Sequence, residues 1–448
     1  MLIFVILSSL PGMQYTREQV LHMAPDDASA KAGQQLANSS KWTVKCISDT
    51  ALWGDCQGSG KNPYKTIVDL TNIAFKCSCP SRKFPCKHGI GLMLLYTQQA
   101  DVFSTATDIP EHVTEWLAKR QEKEVAKEQK EAKPVDAAAQ AKRATARKKK
   151  VDAGIGELRI WIRDVVRAGI MNIPQQSHQF YLNITARMVD AQAGGLAAQL
   201  RQINTINFYT EGWQRMLLRR LAALYLITEA YQRIDDLPEA MAQELQTLIG
   251  WTTAKEEVLQ SQPVSGTWAV LSVTMEEEGN IVTERSWLYN KSDGRFALLL
   301  NFYAGNQVPQ ALLVPGAHIT ADVVYFPGIH PLRALIKEQH SLPHSHIDIT
   351  AGHSLRSMYH ELSAGLTENP FKEQVPFVLN EVYIHVTEAT WLLSDGDNDG
   401  IALSNTTETC WQMLAFTKGK TCSCFGVYER DHFQILSLWA DHKTYFVK

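Results

Sequence analysis

The sequence predicts a multidomain α+β protein with a helical bundle in the middle of the chain and a β-rich C-terminal half. The length of 448 residues corresponds to two to four domains at about 150 residues each. Apolar residues recur with a helical period from about 155 to 260, and short runs rich in Val, Trp, Tyr and Thr follow from about 264 onward. This separation of helical from strand-like segments is typical of an α+β chain with several cores.

Composition limits the functional classes that the chain can belong to. Apolar residues make up 45% of the chain and charged residues 20%, which is ordinary for globular proteins. The 44 Lys and Arg against 47 Asp and Glu give a net charge of −3, so any affinity for nucleic acid must come from a local basic patch. Eight Cys are too few for a disulfide scaffold of this length, which favours a cytoplasmic location.

The chain begins with seven apolar residues, Met1–Leu7. A signal peptide would need a basic region before them and a small-residue cleavage site after them, and a membrane span needs about 20 apolar residues. Thr16 and Gln19 have the spacing of a helix capping box and follow a second methionine, Met13. We therefore expect residues 1–12 to result from an upstream start, with a weak signal or membrane anchor as the alternative, and we expect no membrane partner.

Changes in composition divide the remaining chain into four segments. The predicted boundaries are 13–118 for N-terminal helices and a compact unit with its core at 42–98, 119–152 for a charged linker, 153–262 for a helical domain, and 263–448 for a β-rich domain. Within the linker, positions 119 to 150 carry twelve basic and five acidic side chains without apolar periodicity. Such a segment is typical of a solvated connection, with or without some helix.

The two C-terminal segments differ in their apolar pattern. In the helical domain, where we expect about five helices, one apolar stripe is formed by Leu158, Trp161, Ile162, Val165 and Val166. In the β-rich domain, residues 292–294 (Ser-Asp-Gly) indicate a hairpin turn, and the stretch 338–375 has the character of an irregular loop. No internal repeat is apparent in the sequence.

The motif with the clearest chemistry lies in the compact unit: Cys77-Ser-Cys79, six residues, then Cys86-Lys-His88. Three thiolates and one imidazole are the four ligands of a tetrahedral Zn²⁺ site. Residues two apart on an extended chain point to the same side, so each pair can present both ligands together. Four protein ligands leave no coordination position for water, so the sequence predicts one structural Zn²⁺.

This motif, followed by a predicted helix at about 89–98, resembles the SWIM zinc finger, whose ligands match Cys77, Cys79, Cys86 and His88 one for one. The resemblance covers about residues 42–98 and implies a ββα module. The rest of the chain more weakly resembles uncharacterised bacterial SWIM-containing proteins. Members of that group are encoded near AAA-type ATPases and von Willebrand A-domain proteins, which the resemblance implies as partners. SWIM modules are thought to bind DNA or proteins.

Basic side chains near the motif and at the end of the linker are candidate contacts for nucleic acid or for a protein partner. They are Arg82, Lys83 and Lys87 beside the zinc ligands, and Lys142, Arg143, Arg147, Lys148, Lys149 and Lys150 in the linker. Those near the zinc ligands can equally offset the thiolate charge. Six basic side chains in nine residues are enough for several phosphate contacts, and equally typical of a solvated linker.

Two non-enzymatic functions remain open at this level, and a third alternative is an enzyme in the C-terminal half whose site has no recognisable motif. One is a non-enzymatic zinc-finger adaptor that binds proteins, and the other is a DNA- or RNA-binding SWIM protein that uses the zinc knuckle and the basic linker. No Ser/His/Asp, paired-carboxylate or nucleotide-binding arrangement can be argued from spacing, so we expect no enzymatic activity.

Four other patterns have simpler explanations. The Gly-Ser-Gly-Lys at 58–61 lacks the remaining residues of a phosphate loop and is followed by Pro63. The acidic run 395–400 resembles half of a calcium loop but suits a hairpin turn better. Cys422-Ser-Cys424 fits a strand, and the histidines between 340 and 353 fit a solvated loop rather than a ligand set.

Overall fold

A computed structural model describes residues 15–447, apart from 59, 61, 72, 82, 107, 129–136, 176–177, 280, 305–312, 341–343, 346–351, 388–389, 398 and 442. Within these residues the protein has twelve α-helices and three β-sheets, with a helical bundle in the middle and strands in the C-terminal half. The α+β class predicted from the sequence is confirmed. The described part of the chain has no helix that is both apolar and long enough to cross a bilayer.

The N-terminal module combines three helices with one sheet. The helices are α1 Arg17–His22, α2 Asp27–Leu36 and α3 Lys87–Gln98. The strands are β1 Trp42–Ile47, β2 Ala51–Cys56, β3 Tyr64–Asp69, β4 Ala74–Cys77 and β5 Ser104–Thr105. Strands β1 to β4 form an antiparallel meander, and β5 pairs in parallel with β1. The predicted capping box of α1 is present, since the Thr16 and Gln19 side chains each accept the other residue's backbone N–H.

Helix α3 is buried along nine consecutive residues, from His88 to Tyr96. It packs against the sheet on one side and against α1 and α2 on the other. Its apolar residues therefore surround the helix instead of forming one stripe. Glycine permits the close contact with α2, because a Cβ atom at Gly33 would lie 2.6 Å from Ile90 Cγ2 and one at Gly91 would lie 2.7 Å from Leu36 Cβ.

Helix α4 Glu111–Glu128 covers the opposite face of the same sheet, where Val113 packs with Trp53 and Ile67. Arg120 Nε donates to Asp69 Oδ2 over 3.0 Å, which fixes the helix to the end of β3. Because Asp69 is buried, loss of Arg120 would leave a buried carboxylate without this cation.

The structure differs from the expected linker in its second half. Helix α5 runs continuously over Ala137–Ala168, so the predicted boundary at 152 falls inside a helix. Ala, Lys, Arg and Gln dominate 137–150 and are good helix formers, which favours extension of the bundle helix in this direction. Val151 is fully buried in the bundle core, so the bundle begins before residue 153.

The bundle contains α5 and the helices α6 His178–Asp190, α7 Gly194–Ile203, α8 Trp213–Tyr231 and α9 Glu239–Ile249, followed by the short α10 Lys255–Leu259. Its core is formed by one face of each long helix. Leu158, Ile162 and Val165 lie in this core as predicted. Trp161 packs at its margin, whereas Val166 is 48% exposed because it lies beyond the edge of the buried stripe.

The β-rich half begins with a closed five-stranded barrel, which we call barrel 1. Its strands are β6 Val264–Glu278, β7 Ile281–Asn290, β8 Phe296–Ala304, β9 Ala317–Tyr325 and β10 Arg333–Gln339. The order around the barrel is β6-β7-β8-β10-β9, with β9 paired back to β6 and β8 parallel to β10. The short β11 His344–Ser345 adds to β9. The residues 292–294 form the turn between β7 and β8, as predicted.

A second barrel, barrel 2, follows helix α11 Leu355–Glu368. Its strands are β12 Gln374–Val386, β13 Trp391–Ser394, β14 Gly400–Leu403, β15 Cys422–Glu429 and β16 His432–Ala440, with α12 Thr407–Thr417 between β14 and β15 and β17 Lys443–Phe446 at the edge. Helix α11 lies within the stretch 338–375 that the sequence analysis expected to be irregular, and residue Ser354 caps it by accepting from Ser357 N–H.

The two barrels have the same topology, so the structure contains a repeat that the sequence does not reveal. In barrel 2 the order is β12-β13-β14-β16-β15, β15 pairs back to β12, and β14 is parallel to β16. The first strand of each barrel carries a register shift, at 270–272 in β6 and at 379–382 in β12. This five-stranded Greek-key arrangement is the architecture of OB-fold barrels.

Barrel 1 and barrel 2 pack through one apolar cluster. Barrel 1 contributes Ala269, Leu271, Trp287 and Leu298, and barrel 2 contributes Val378, Phe425, Val427 and Leu436. The Trp287 and Phe425 rings lie 5.8 Å apart in an edge-to-face arrangement. The faces in contact are not equivalent, because barrel 1 uses β6, β7 and β8 while barrel 2 uses β12, β15 and β16.

Arg147 joins the basic part of α5 to the end of α9. Its Nη2 donates to the Gly250 carbonyl oxygen over 2.8 Å, and its guanidinium lies 4.9 Å from the centre of the Trp251 ring. Lys149, two residues on, is exposed. Arg147→Ala should therefore lower the opening free energy of the α9 amides by about 1–3 kcal/mol, since it removes a charge-assisted hydrogen bond and a cation–π contact.

Amide hydrogen exchange of the full chain, read at residues 245–250, measures this effect. Lys149→Ala is the matched control and should change the same free energy by less than about 0.5 kcal/mol. If the amides of residues 245–250 exchange at the same rate in both variants, Arg147 does not anchor α5 to the end of α9.

Candidate metal centre

The four predicted zinc ligands come from two places that the fold brings together. Cys77 is the last residue of β4, and Cys79 follows in the turn after it. Cys86 is the N-cap residue of α3, and His88 lies in the first turn of that helix. One ligand atom from each residue lies within 4.8 Å of the others, so the group could hold a metal ion.

The distances fit a tetrahedral ion. His88 Nδ1 lies 3.7 Å from Cys77 Sγ and 3.9 Å from Cys86 Sγ. Zn–S and Zn–N bonds of ordinary length at a tetrahedral angle place sulfur and nitrogen about 3.6 Å apart. The residues present therefore fit Zn²⁺ with little movement, with Nδ1 as the histidine ligand atom.

Burial makes this a closed site. Cys86 and His88 are buried, and Cys77 and Cys79 are half-buried. Three sulfurs and one nitrogen fill a tetrahedral shell and leave no position for a water ligand, which is the pattern of structural zinc. The arrangement joins β4 to α3 and has no open coordination position for substrate.

Hydrogen-bond donors surround the sulfurs. The Thr66 hydroxyl lies 3.3 Å from Cys77 Sγ, and the backbone N–H groups of Ser81 and Gly89 interact with Cys79 and Cys86. Such donors stabilise thiolates and fix the orientation of the ligands. Sequence spacing did not point to Thr66, although it lies directly opposite Cys77 in the β3–β4 register.

Cys86 and Cys77 differ in acidity before metal binds. The hydrogen bond from Cys77 is the largest cause that holds the pKa of the Cys86 thiol well below its ordinary value, and the hydrogen bond from His88 adds to it. The hydrogen bond to Cys86, followed by burial, raises the pKa of Cys77. Zinc binding displaces the remaining thiol protons of the group, so zinc affinity falls as the pH is lowered.

An aromatic ring packs against one ligand of the group. The Tyr64 ring lies 4.9 Å from the His88 ring. The Phe75 ring, which contacts that of Phe84 at 6.0 Å, packs against the first turn of α3. Gly89 makes room for it there, since a Cβ atom at this position would lie 2.6 Å from Phe75 Cδ1.

The basic residues near the cluster have different surroundings. Lys83 pairs with Asp26 at 2.5 Å, in contact with the N-terminal end of α2. Lys87 is exposed, and Arg82 lies outside the described residues. Lys65 and Lys76, which the sequence analysis did not single out, are also exposed and both act on His112 electrostatically.

The basic run in α5 is divided between internal contacts and solvent. Arg147 anchors α9, and Lys148 pairs with Asp152 and lies 5.8 Å from the centre of the Tyr231 ring. Lys142, Lys149 and Lys150 are exposed, and the side chain of Arg143 is outside the described residues. Only part of the predicted contact surface is therefore open to a partner.

The remaining patterns have structural roles. Asp395 accepts the backbone N–H groups of Asp397 and Asp399, so the acidic run closes the turn between β13 and β14. Cys422 and Cys424 are buried in β15, as the strand interpretation predicts. Strands β2 and β3, which flank the Gly-Ser-Gly-Lys run, pair with each other in antiparallel order.

One family model matches the chain. Residues 146–249 match the SWIM-associated four-helix bundle domain, which is associated with SWIM zinc fingers. The match begins in α5, ends with α9 and covers less than a quarter of the chain. Neither a curated protein nor a solved structure matches the chain. The chain thus contains a bundle similar to this domain together with a Cys₃His group that could hold a metal ion.

Cys86→Ser should abolish stoichiometric zinc binding at this group and increase hydrogen exchange in β4 and α3, because structural zinc binding is coupled to folding. Metal analysis of the full chain after dialysis against limiting Zn²⁺ measures the first effect. Cys46→Ser is the matched control, since Cys46 lies in the same sheet but outside the group, and it should retain the ion. Zinc retained at this group in the Cys86 variant would contradict the ligand assignment.

Proposed function

We propose that the protein is a zinc-binding SWIM-type adaptor that binds protein partners and has no catalytic activity of its own. The observation that carries this proposal is the closed Cys₃His group in the same chain as a bundle similar to the SWIM-associated domain. Zinc would stabilise the junction of β4 with α3 and hold the finger in one conformation. The resemblance of residues 42–98 to SWIM modules then implies binding of a macromolecule.

The charge of the C-terminal half favours a protein partner over nucleic acid. Residues 263–448 contain twelve Lys and Arg against twenty Asp and Glu, so the two barrels would repel a phosphate backbone. The bundle also exposes large apolar side chains, and on α8 these include Met216, Leu218 and Leu226.

The partners that the resemblance suggests are an AAA-type ATPase and a von Willebrand A-domain protein. We expect the zinc-loaded chain to form a complex with at least one of these proteins from the same source, and removal of zinc with a chelator to weaken that complex. Size-exclusion chromatography coupled to light scattering measures both. Absence of a complex with either protein at micromolar concentrations would contradict this choice of partners.

Nucleic-acid binding is the second candidate function. It is favoured by the exposure of Lys142, Lys149 and Lys150 on one helix and of Lys65, Lys76 and Lys87 in the finger module. Arg147 and Lys148, by contrast, contact the bundle.

If the three α5 lysines contact phosphates, replacing Lys142, Lys149 and Lys150 with Gln should reduce the slope of log K against log salt by about 2.7, at about 0.9 per phosphate contact. Fluorescence anisotropy with labelled double-stranded DNA at several salt concentrations measures the slope. Lys255→Gln, an exposed lysine on α10, is the control and should leave the slope unchanged. No binding at low salt would rule out this function for the zinc-loaded chain.

A further inference from the structure

Three side chains that can bind metal meet on the outer surface of barrel 1, outside the finger module. Asp322 belongs to β9, Glu338 belongs to β10, and His340 follows β10 directly. One ligand atom from each lies within 4.8 Å of the others. No residue of this group takes part in the Cys₃His centre.

A bulge places Glu338 on this surface. Ile336 lies opposite Val323, and both pack in the core of barrel 1. Simple alternation would direct residue 338 into the same core. The register shift leaves Lys337 without an opposite residue and brings Glu338 opposite Asp322 on the outside.

The histidine is held in position by its backbone. His340 N–H donates to the Thr320 carbonyl oxygen over 2.7 Å. Its ring then lies between the two carboxylates, with Nε2 3.0 Å from Asp322 Oδ2 and Nδ1 3.7 Å from Glu338 Oε1. The ring is 41% exposed, so solvent ions can reach it.

A third strand supports Asp322. Ser265 of β6 lies opposite Asp322, and its hydrogen bond is the largest of the causes that lower the pKa of this carboxyl, followed by the hydrogen bond from His340. The side chain of Asp322 is only 20% exposed. Residues that hydrogen-bond to a ligating carboxylate orient it toward the metal.

The charges favour a cation at this position. Two carboxylates directly opposite each other on neighbouring strands repel each other. Lys337 acts on Asp322 electrostatically from the bulge. A divalent ion would interact with both carboxylates and accept one nitrogen lone pair from His340.

We propose that Asp322, Glu338 and His340 form a second metal site that takes a divalent transition-metal ion such as Zn²⁺. Imidazole among the ligands favours such an ion over Ca²⁺ or Mg²⁺. Three protein ligands leave at least one coordination position for water or for a group from a partner, in contrast to the closed finger site. The side chain of Glu338 is 69% exposed, so this position faces solvent.

The test is the number of Zn²⁺ ions bound by the full chain, measured by isothermal titration and by metal analysis under reducing conditions. The wild-type chain should bind two ions. His340→Ala and Glu338→Gln should each retain only the ion at the Cys₃His group, because the affinity of the second site for Zn²⁺ falls by about 100-fold or more. Ser265→Ala should lower the affinity of the second site by about 10-fold. Glu277→Gln, an exposed glutamate of β6 outside the group, is the control and should bind two.

Cobalt distinguishes this site from the finger. Co²⁺ in a thiolate site gives a sulfur-to-metal charge-transfer band, and Co²⁺ bound by carboxylates and imidazole does not. Cys86→Ser should therefore lose the band and keep one bound ion, whereas His340→Ala should keep the band and lose the other ion. A wild-type chain that binds only the finger ion, or a His340→Ala variant that still binds two, overturns the proposal.

Discussion

Helix α3 imposes the main physical constraint on the N-terminal half, because it is apolar on every side and must be covered on every side. The sheet covers one face, and α1 and α2 cover the other. The Cys₃His group lies where this helix begins, so metal binding and burial of α3 favour the same position for its first turn. Helix α1 extends the same core to barrel 1, where the Gln19 side-chain amide donates to the Pro315 carbonyl oxygen and Val314 packs with residues of the N-terminal module. The N-terminal module is therefore docked on barrel 1.

The candidate metal site could be predicted from the sequence because its information is local. Ligand spacing specifies Cys77, Cys79, Cys86 and His88, and a short turn is enough to bring the pairs together. The capping box at Thr16 and the turn at 292–294 are local signals of the same kind. By contrast, Thr66 contributes to the site through its register with Cys77, and strand register across a sheet is not encoded in spacing along the chain.

The errors of sequence interpretation come from tertiary context. The basic segment before Val151 has the composition of a solvated linker with or without some helix, and its boundary with the bundle at 152 is displaced because Arg147 and Lys148 contact the bundle from within α5. The repeat of the two barrels is hidden for a related reason. Their common topology is a property of backbone pairing, whereas equivalent positions carry different side chains. Leu298 is opposite Arg333 in barrel 1, and Ala402 is opposite His432 at the equivalent position in barrel 2.

The unequal packing of the two barrels has a consequence for assembly. A contact between two different faces of a repeated unit is head-to-tail, and repetition of such a contact builds rings or filaments. In barrel 2 the positions that correspond to Trp287 and Leu298 are held by the smaller Leu392 and Ala402, both half-buried. Barrel 2 therefore offers a smaller apolar surface at these positions than barrel 1 does, which disfavours a further contact of the same kind.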